Sequence, residues 1–248
     1  MKRIFVIAPC LLIFTLFSCQ FTEDIYINED GSGRMAFALD ASELMNIAGD
    51  ELKKEALEDI DSTIVFKEFI ALKKDSISRL DQSHQKLFSS IEPLVLHTYM
   101  NSDSKALTLD LSREFQDVAE IEDMFAAMHA MQTLNNDTGE EEHNPFTALN
   151  SQDGSSLDYT YDGELFERVV RVYDDKKHQK VLTDLQTISQ YFGTSKYKVN
   201  YHFSKPVIAV SNSDARISAD KKTVSINYNY LDYLQNPEAL NLEVLLEE

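Results

Sequence analysis

The chain has 248 residues, a formal net charge of −19 at pH 7 and 43% hydrophobic residues. A negative charge of that size repels phosphate backbones and anionic lipid headgroups, which argues against nucleic acid as a partner and against electrostatic docking on a membrane. The hydrophobic content is ordinary for a folded protein and argues against wholesale disorder.

The first nineteen residues have the build of a secretory signal peptide. Lys2 and Arg3 give a basic start, and residues 4–17 are uncharged and mostly apolar. This run is too short for a comfortable membrane span, because a spanning helix needs about 20 apolar residues. The alternatives are an uncleaved helical anchor that runs on to Phe21, and an ordinary signal peptide with a chance thiol at Cys19.

The run Leu16-Phe17-Ser18-Cys19 resembles the lipobox of bacterial lipoproteins. In that family the signal peptide is cleaved before the cysteine, which then carries fatty chains such as palmitate. The resemblance implies that residues 1–18 are removed and that Cys19 anchors the protein to a membrane of the bacterial cell envelope. Gln20 follows the cysteine, where enteric-type sorting uses an aspartate for inner-membrane retention, so the resemblance favours the outer membrane.

Cleavage there would change both the charge and the cysteine content. The remaining chain would hold 21 basic and 42 acidic residues, a formal charge of −21. Cys10 would leave with the signal peptide and Cys19 would carry lipid, so we expect no disulfide and a fold that rests on its hydrophobic core. A mature length of about 230 residues allows one large domain or two small ones.

Three β-hairpins are predicted from alternating apolar residues on either side of turn sequences. Their strands are residues 21–28 with 34–40, 94–101 with 105–112, and 157–162 with 164–173. The first turn, Glu29-Asp30-Gly31-Ser32-Gly33, and the third, Asp162-Gly163, carry the glycine that tight turns favour.

Helices are predicted between the hairpins from apolar residues at helical spacing. They cover residues 41–48, 66–72, 83–91, 117–131 and 174–192, and residues 50–61 continue the first of them as helix or linker. Ser42 is the expected N-cap of the first helix, Asp117 opens the fourth, and Gly193 ends the fifth.

The C-terminal part consists of predicted strands and turns. The strands are residues 197–203, 215–218, 223–228 and 240–246. Hairpins and helices recur in order along the chain and more strands follow them. This order predicts an α+β fold, with antiparallel sheet and helices packed on one face.

The acidic stretch 135–156 divides the mature chain. It is rich in Asn, Gly and Ser and is predicted to form an exposed, flexible loop. The expected organisation is a cleaved signal peptide (1–18), an N-terminal α+β part (19–134), this loop, and a β-rich part (157–248) that forms one domain with the N-terminal part.

Two further resemblances rest on the ends of the chain. The first hairpin, Asp24 to Gly33, is similar to the opening of uncharacterised Bacteroidetes-type envelope lipoproteins, and the segments Tyr197 to Phe203 and Ile217 to Val224 are similar to their C-terminal region. The first hairpin also has a distant likeness to the LppM-type lipoproteins of mycobacteria. Neither group has an assigned chemistry, so the resemblance implies no catalytic residue.

The histidines share no metal-ligand spacing. They are His84, His97, His129, His143, His178 and His202. His97 and His202 fall on polar strand faces, and His129 lies at the apolar edge of a predicted helix. A structural or solvated role is favoured for each, and neither a metal nor a cofactor is predicted.

Three other stretches are interpreted as ordinary structure. Asp30-Gly31-Ser32-Gly33 resembles a phosphate cradle or calcium loop, but a strand rather than a helix follows it, which favours a hairpin turn. Glu140-Glu141-Glu142-His143 with Asp137 is typical of a solvated charge run. A methionine stripe on the fourth helix favours core packing over partner binding, and comprises Met124, Met128 and Met131.

The chain carries no Gly-x-Ser-x-Gly, His-Glu-x-x-His or Walker-type motif. The favoured hypothesis is a non-enzymatic lipoprotein, anchored through Cys19, that binds a partner protein or a hydrophobic ligand or has a structural role. A carrier with an apolar cavity beside the methionine helix is one version of it. The alternative is a carboxylate-dependent hydrolase or carbohydrate-active enzyme of the envelope. The lack of Trp and the core-like positions of most tyrosines argue against glycan chemistry.

Overall fold

A computed structural model describes residues 20–43, 45, 59–121, 154–179, 182–183 and 194–248. The strands are β1 Gln20–Ile27, β2 Gly33–Asp40, β3 Ile60–Val65, β4 Val95–Asn101, β5 Ala106–Phe115, β6 Ser155–Tyr161, β7 Leu165–Val172, β8 Lys196–Phe203, β9 Val207–Val210, β10 Arg216–Ile217, β11 Thr223–Asn229 and β12 Leu242–Leu246. The helices are α1 Phe66–Leu72, α2 Lys74–Ile77, α3 Gln82–Ile91 and α4 Tyr230–Gln235, with 3₁₀ turns at Val118–Glu120 and Pro237–Leu240.

The strands form two sheets. The larger has the order β10-β11-β8-β1-β2-β5-β4-β3, and the smaller has the order β6-β7-β12-β9. The three predicted hairpins are present as β1–β2, β4–β5 and β6–β7, and the predicted C-terminal pair is β10–β11. The β1–β8 pair is parallel, which was not predicted, because parallel neighbours far apart in the chain leave no local turn signal.

The two sheets pack face to face. On β1 the side chains of Phe21, Ile25 and Ile27 point into the core and are at most 3% exposed. The ring of Phe166 on β7 lies 5.2 Å from that of Tyr201 and 5.4 Å from that of Phe203, both on β8, between centroids. Because burial of each such side chain stabilises by about 1.5–3 kcal/mol, this shared core is what holds the sheets together.

The helices extend the same core on the inner face of the eight-stranded sheet. Phe66 of α1 and Ile91 of α3 are buried in it. Tyr230 of α4 stacks on Phe21 of β1, with ring centroids 4.4 Å apart. The predicted α+β class is therefore confirmed.

Several predicted boundaries differ from the structure. Ser42 is not the N-cap: the Asp40 carboxylate accepts a hydrogen bond from the Ser42 N–H at 3.0 Å, while the Ser42 hydroxyl accepts from the Leu107 N–H at 3.1 Å. Residues 60–61, predicted as helix or linker, begin strand β3, whose β-branched residues pair with β4. Strand β9 and helix α4 were not predicted, since both are short.

Only the beginnings of the two later predicted helices lie in the described residues. The helix predicted from Asp117 does not run on there, because the 3₁₀ turn Val118–Glu120 ends at Ile121, whose backbone is extended. Asp117 caps the 3₁₀ turn that follows it, accepting from the Ala119 N–H at 2.8 Å. Asp174 does the same for a helix that covers residues 175–179, accepting from the N–H groups of Lys176 and Lys177 at 3.1 Å. The methionine stripe, Cys19 and most of the predicted loop lie outside the described residues.

Candidate functional site

A polar cluster lies on the outer face of the eight-stranded sheet, where β1, β8 and β11 are neighbours. Asp24 points away from the core because side chains alternate along a strand and Glu23 and Ile25 point inward. The strand registers then bring its neighbours alongside. The members, called here the His202 cluster, are Asp24, Tyr26, Asn200, His202, Thr223 and Ser225.

His202 is at the centre of a hydrogen-bond network. Its Nε2 lies 2.9 Å from Asp24 Oδ1 and its Nδ1 lies 3.1 Å from Thr223 Oγ1. Asn200 Nδ2 donates to the same Asp24 oxygen at 2.9 Å, and Ser225 Oγ donates to Asn200 Oδ1 at 2.7 Å. The network thus fixes both edges of the imidazole ring.

Tyr26 covers one face of that imidazole. The two ring centroids are 4.2 Å apart and the ring planes differ by 8°. Tyr26 is nevertheless 44% exposed. The stack therefore holds a tyrosine ring in a defined orientation at the protein surface.

The arrangement of a histidine between a carboxylate and a hydroxyl is one of the features used in nucleophilic catalysis. In that chemistry the imidazole takes the hydroxyl proton while the carboxylate orients the ring. A backbone N–H beside the nucleophile usually stabilises the oxyanion that forms. Here the Thr223 N–H already donates to Ser218 Oγ at 2.9 Å. The cluster thus offers a base and a hydroxyl, while the Thr223 N–H is already bonded and does not point to an oxyanion.

A second polar group lies inside the core, between the sheets. Glu23 is 5% exposed and Arg168 is 2% exposed. The Tyr197 hydroxyl donates to Glu23 Oε2, and the Arg168 guanidinium carbon lies 6.0 Å from the centroid of the Tyr159 ring. The Nη1 atom of Arg168 is buried without a hydrogen-bond partner in the described part of the chain.

The tyrosines around this group stay neutral. Burial raises the pKa of Tyr201, and Arg168 opposes that rise while Glu23 adds to it. Burial and the Glu23 carboxylate also raise the pKa values of Tyr159 and Tyr197. The inner group is sealed from solvent, so it supports the fold and presents nothing to a ligand from outside.

The other described histidines lie apart from the His202 cluster. His84 Nδ1 is 2.5 Å from Asp81 Oδ2, His97 Nε2 is 3.0 Å from Asp61 Oδ1, and His178 Nε2 is 3.3 Å from the Gln235 carbonyl. Within the described ranges no group of three or more His, Cys, Asp or Glu side chains could hold a metal ion. His129, His143 and the 140–142 acidic run lie outside those ranges.

The clefts on the described surface include the following two. One of about 440 Å³ is mainly apolar and lies between β9 and β10. Its lining includes Val207, Ile208, Ile217 and Ala219. The other, of about 300 Å³, adjoins the His202 cluster and is lined by Tyr26 together with polar side chains of β2, β5 and the first turn.

The sequence placed His202 on a polar strand face but did not connect it to Asp24. The two residues meet through the parallel β1–β8 pair, which leaves no local signal. Tyr26 could have been found from the alternation in β1, since it shares the outward face with Asp24.

Comparisons with known proteins give one weak likeness. No family model matches the chain, and no curated protein matches it. A solved structure that resembles it is the NMR structure of the folded domain of LppM from Mycobacterium tuberculosis, with a TM-score of 0.38 and 9% sequence identity. The match covers 92% of this chain and 89% of that one.

Proposed function

We propose that the protein is a bacterial lipoprotein of the cell envelope, anchored to the outer membrane through fatty chains on Cys19. The observation that supports this is the adjacency of two features. The run Leu16-Phe17-Ser18-Cys19 resembles a lipobox, and strand β1 begins at Gln20, the very next residue. Cleavage before Cys19 would leave the described fold intact.

The anchor would act through lipid. A single acyl chain binds a bilayer only marginally, whereas two or three chains on one cysteine make dissociation negligible. No helix in the described residues is long and apolar enough to cross a membrane.

The anchored domain serves as a non-enzymatic binding or structural module in this proposal. Support comes from the apolar cleft, where Ile208 is 57% exposed and Ile217 is 40% exposed. Exposed apolar side chains at a cleft suit a partner protein or a hydrophobic ligand. The bonded Thr223 N–H argues against acyl-transfer chemistry at the His202 cluster.

A second candidate is an envelope hydrolase. The observation that favours it is the chain of contacts from Asp24 through His202 to Thr223. It would make His202 the base, and His202→Gln would then abolish hydrolysis of an ester probe such as p-nitrophenyl acetate. Equal residual hydrolysis by the wild type and His202→Gln would remove this candidate.

Metabolic labelling tests the anchor. We expect labelled palmitate to be incorporated into the wild type and lost in Cys19→Ala, because the acyl chains are bound at that residue alone. Cys10→Ala is the matched control, since Cys10 lies in the segment to be removed, and it should keep its label. Equal label in the wild type and Cys19→Ala would contradict the proposal.

A further inference from the structure

The polar cleft beside Tyr26 has the composition of a sugar-binding site. Its lining includes Tyr26, Asn28, Ser32, Arg34, Glu114 and Gln116, with Phe115 and Gly33 between them. We propose that it binds a neutral pyranose ring of a glycan, with the Tyr26 ring as the platform on which the sugar stacks. The proposal does not depend on lipid at Cys19.

The first step of the argument is the fixed orientation of Tyr26. His202 covers one face of the ring, and Asp24 and Thr223 hold His202 from both of its nitrogens. Tyr26 lies between His202 on β8 and Arg34 on β2, and both Tyr26 and Arg34 line the cleft. A sugar that stacks on it would meet a ring whose conformational freedom is already restricted, which favours affinity.

The second step is the set of hydrogen-bonding groups opposite that ring. Arg34 and Glu114 are cross-strand neighbours on β2 and β5, and Gln116 follows β5. The side chains of these three residues make no hydrogen bond or ion pair in the described part of the chain. Guanidinium, carboxylate and amide groups are planar and bidentate, so each can bind two neighbouring sugar hydroxyls.

The third step is that the charge around the cleft and the volume of the cleft define the class of ligand. Arg34 and Glu114 cancel locally, while the whole chain carries −19. That field disfavours anionic polysaccharides and leaves a neutral sugar as the ligand that fits. The cleft, of about 300 Å³, matches the lower end of small-ligand sites.

Calorimetric titration tests the site. The full-length protein is titrated in a detergent without a sugar headgroup, with chitotetraose, mannotetraose and maltotetraose as probes. We expect saturable binding of at least one probe, weakened about tenfold by Tyr26→Ala and by less than about threefold in Tyr26→Phe, which keeps the stacking ring. Arg34→Ala should also weaken binding, through loss of hydroxyl contacts.

The matched control is Tyr173→Ala, because Tyr173 is exposed to 67% and is not part of the cleft. This variant should bind like the wild type. Absence of binding by all three probes at millimolar concentration would overturn the proposal, as would unchanged affinity in Tyr26→Ala. An equal loss of affinity in Tyr173→Ala would overturn it too, because the sugar would then bind elsewhere.

Discussion

At the scale of single residues, the alternation of side chains along β1 places two neighbouring acids on opposite faces of the sheet. Asp24 points to solvent and joins the His202 cluster, whereas Glu23 points inward and is 5% exposed. A buried carboxylate is costly unless it is hydrogen-bonded, and the Tyr197 hydroxyl supplies one such bond. The polar character of β1 was evident in the sequence, but the partners of these two acids lie on strands more than a hundred residues away and could not be inferred from it.

His97 provides a pH-dependent prediction. Its hydrogen bond with Asp61, at 3.0 Å, raises the pKa of His97 above the usual 6.5, and Asp110 adds to this at 3.8 Å. We expect an NMR titration of the His97 ring to give a pKa above 6.5 in the wild type and a lower value in Asp61→Asn. A wild-type value at or below 6.5 would contradict this.

The same shift fixes the direction of the effect on stability. Because the pKa of His97 is raised in the folded state, protonated His97 contributes stability that is fully present below about pH 6.5. This contribution is lost as the pH rises through the pKa of the folded protein. The wild type should therefore exceed Asp61→Asn in free energy of unfolding more at pH 5.5 than at pH 8.5, as measured by urea denaturation.

At the scale of elements, the hairpins were predictable and the short pieces were not. Alternating residues and glycine turns marked β1–β2 and β6–β7, and Gly31 and Gly163 adopt positive φ angles of 81° and 103°. Helix α4 has six residues and too few turns for a periodic signal. Its N-cap could have been recognised, since the Asn229 side chain accepts from the N–H groups of Leu231 and Asp232.

Substitution of Gly33, the first residue of β2, tests how tightly the first hairpin is packed. A Cβ at this position would lie 1.9 Å from the Tyr26 carbonyl oxygen and 2.6 Å from Phe115 Cζ. We expect Gly33→Ala to lower the free energy of unfolding by about 3 kcal/mol, because the backbone must move to relieve the overlap. Urea denaturation measures the loss.

Gly163→Ala is the matched control for that substitution. A Cβ at Gly163 would meet nothing within 4 Å, so only the positive φ angle of 103° opposes it. A loss of about 1–2 kcal/mol is expected there. Equal losses in the two variants would show that the contacts of Gly33 do not limit the hairpin.

At the scale of the whole molecule, the parallel β1–β8 pair joins the N-terminal and C-terminal parts of the chain in one sheet. We propose on this basis that residues 19–134 and 157–248 unfold as one cooperative domain. The class of fold followed from the order of hairpins and helices, but the pairing between the two parts did not. That pairing depends on which strands place their apolar faces together, and many strands in this chain have similar alternating apolar faces.

Ile25 tests that cooperativity. It is 0% exposed and lies beside Tyr201 across the β1–β8 pair. Ile25→Ala should lower the free energy of unfolding by about 2–5 kcal/mol, because it leaves a cavity between the sheets. Hydrogen exchange should show that the most protected amides of β5 and β12 lose the same amount of protection.

Leu72→Ala is the control for this substitution, since Leu72 is 85% exposed and should change stability by less than about 0.5 kcal/mol. Destabilisation of β5 by Ile25→Ala with β12 unaffected would mean that the two parts unfold separately.

The start of β1 at Gln20 has a geometric consequence for the proposed lipoprotein. Neighbouring Cα atoms are about 3.8 Å apart. A lipid on Cys19 would therefore be joined to the first strand of the domain without a flexible linker. β1 is about 25 Å long, because each of its eight residues adds about 3.3 Å of rise. The turn that follows β1, and Tyr26 beside it, would therefore lie no farther than about 25–30 Å from the lipid-bearing residue. Only structures within that height of the membrane surface would be in reach.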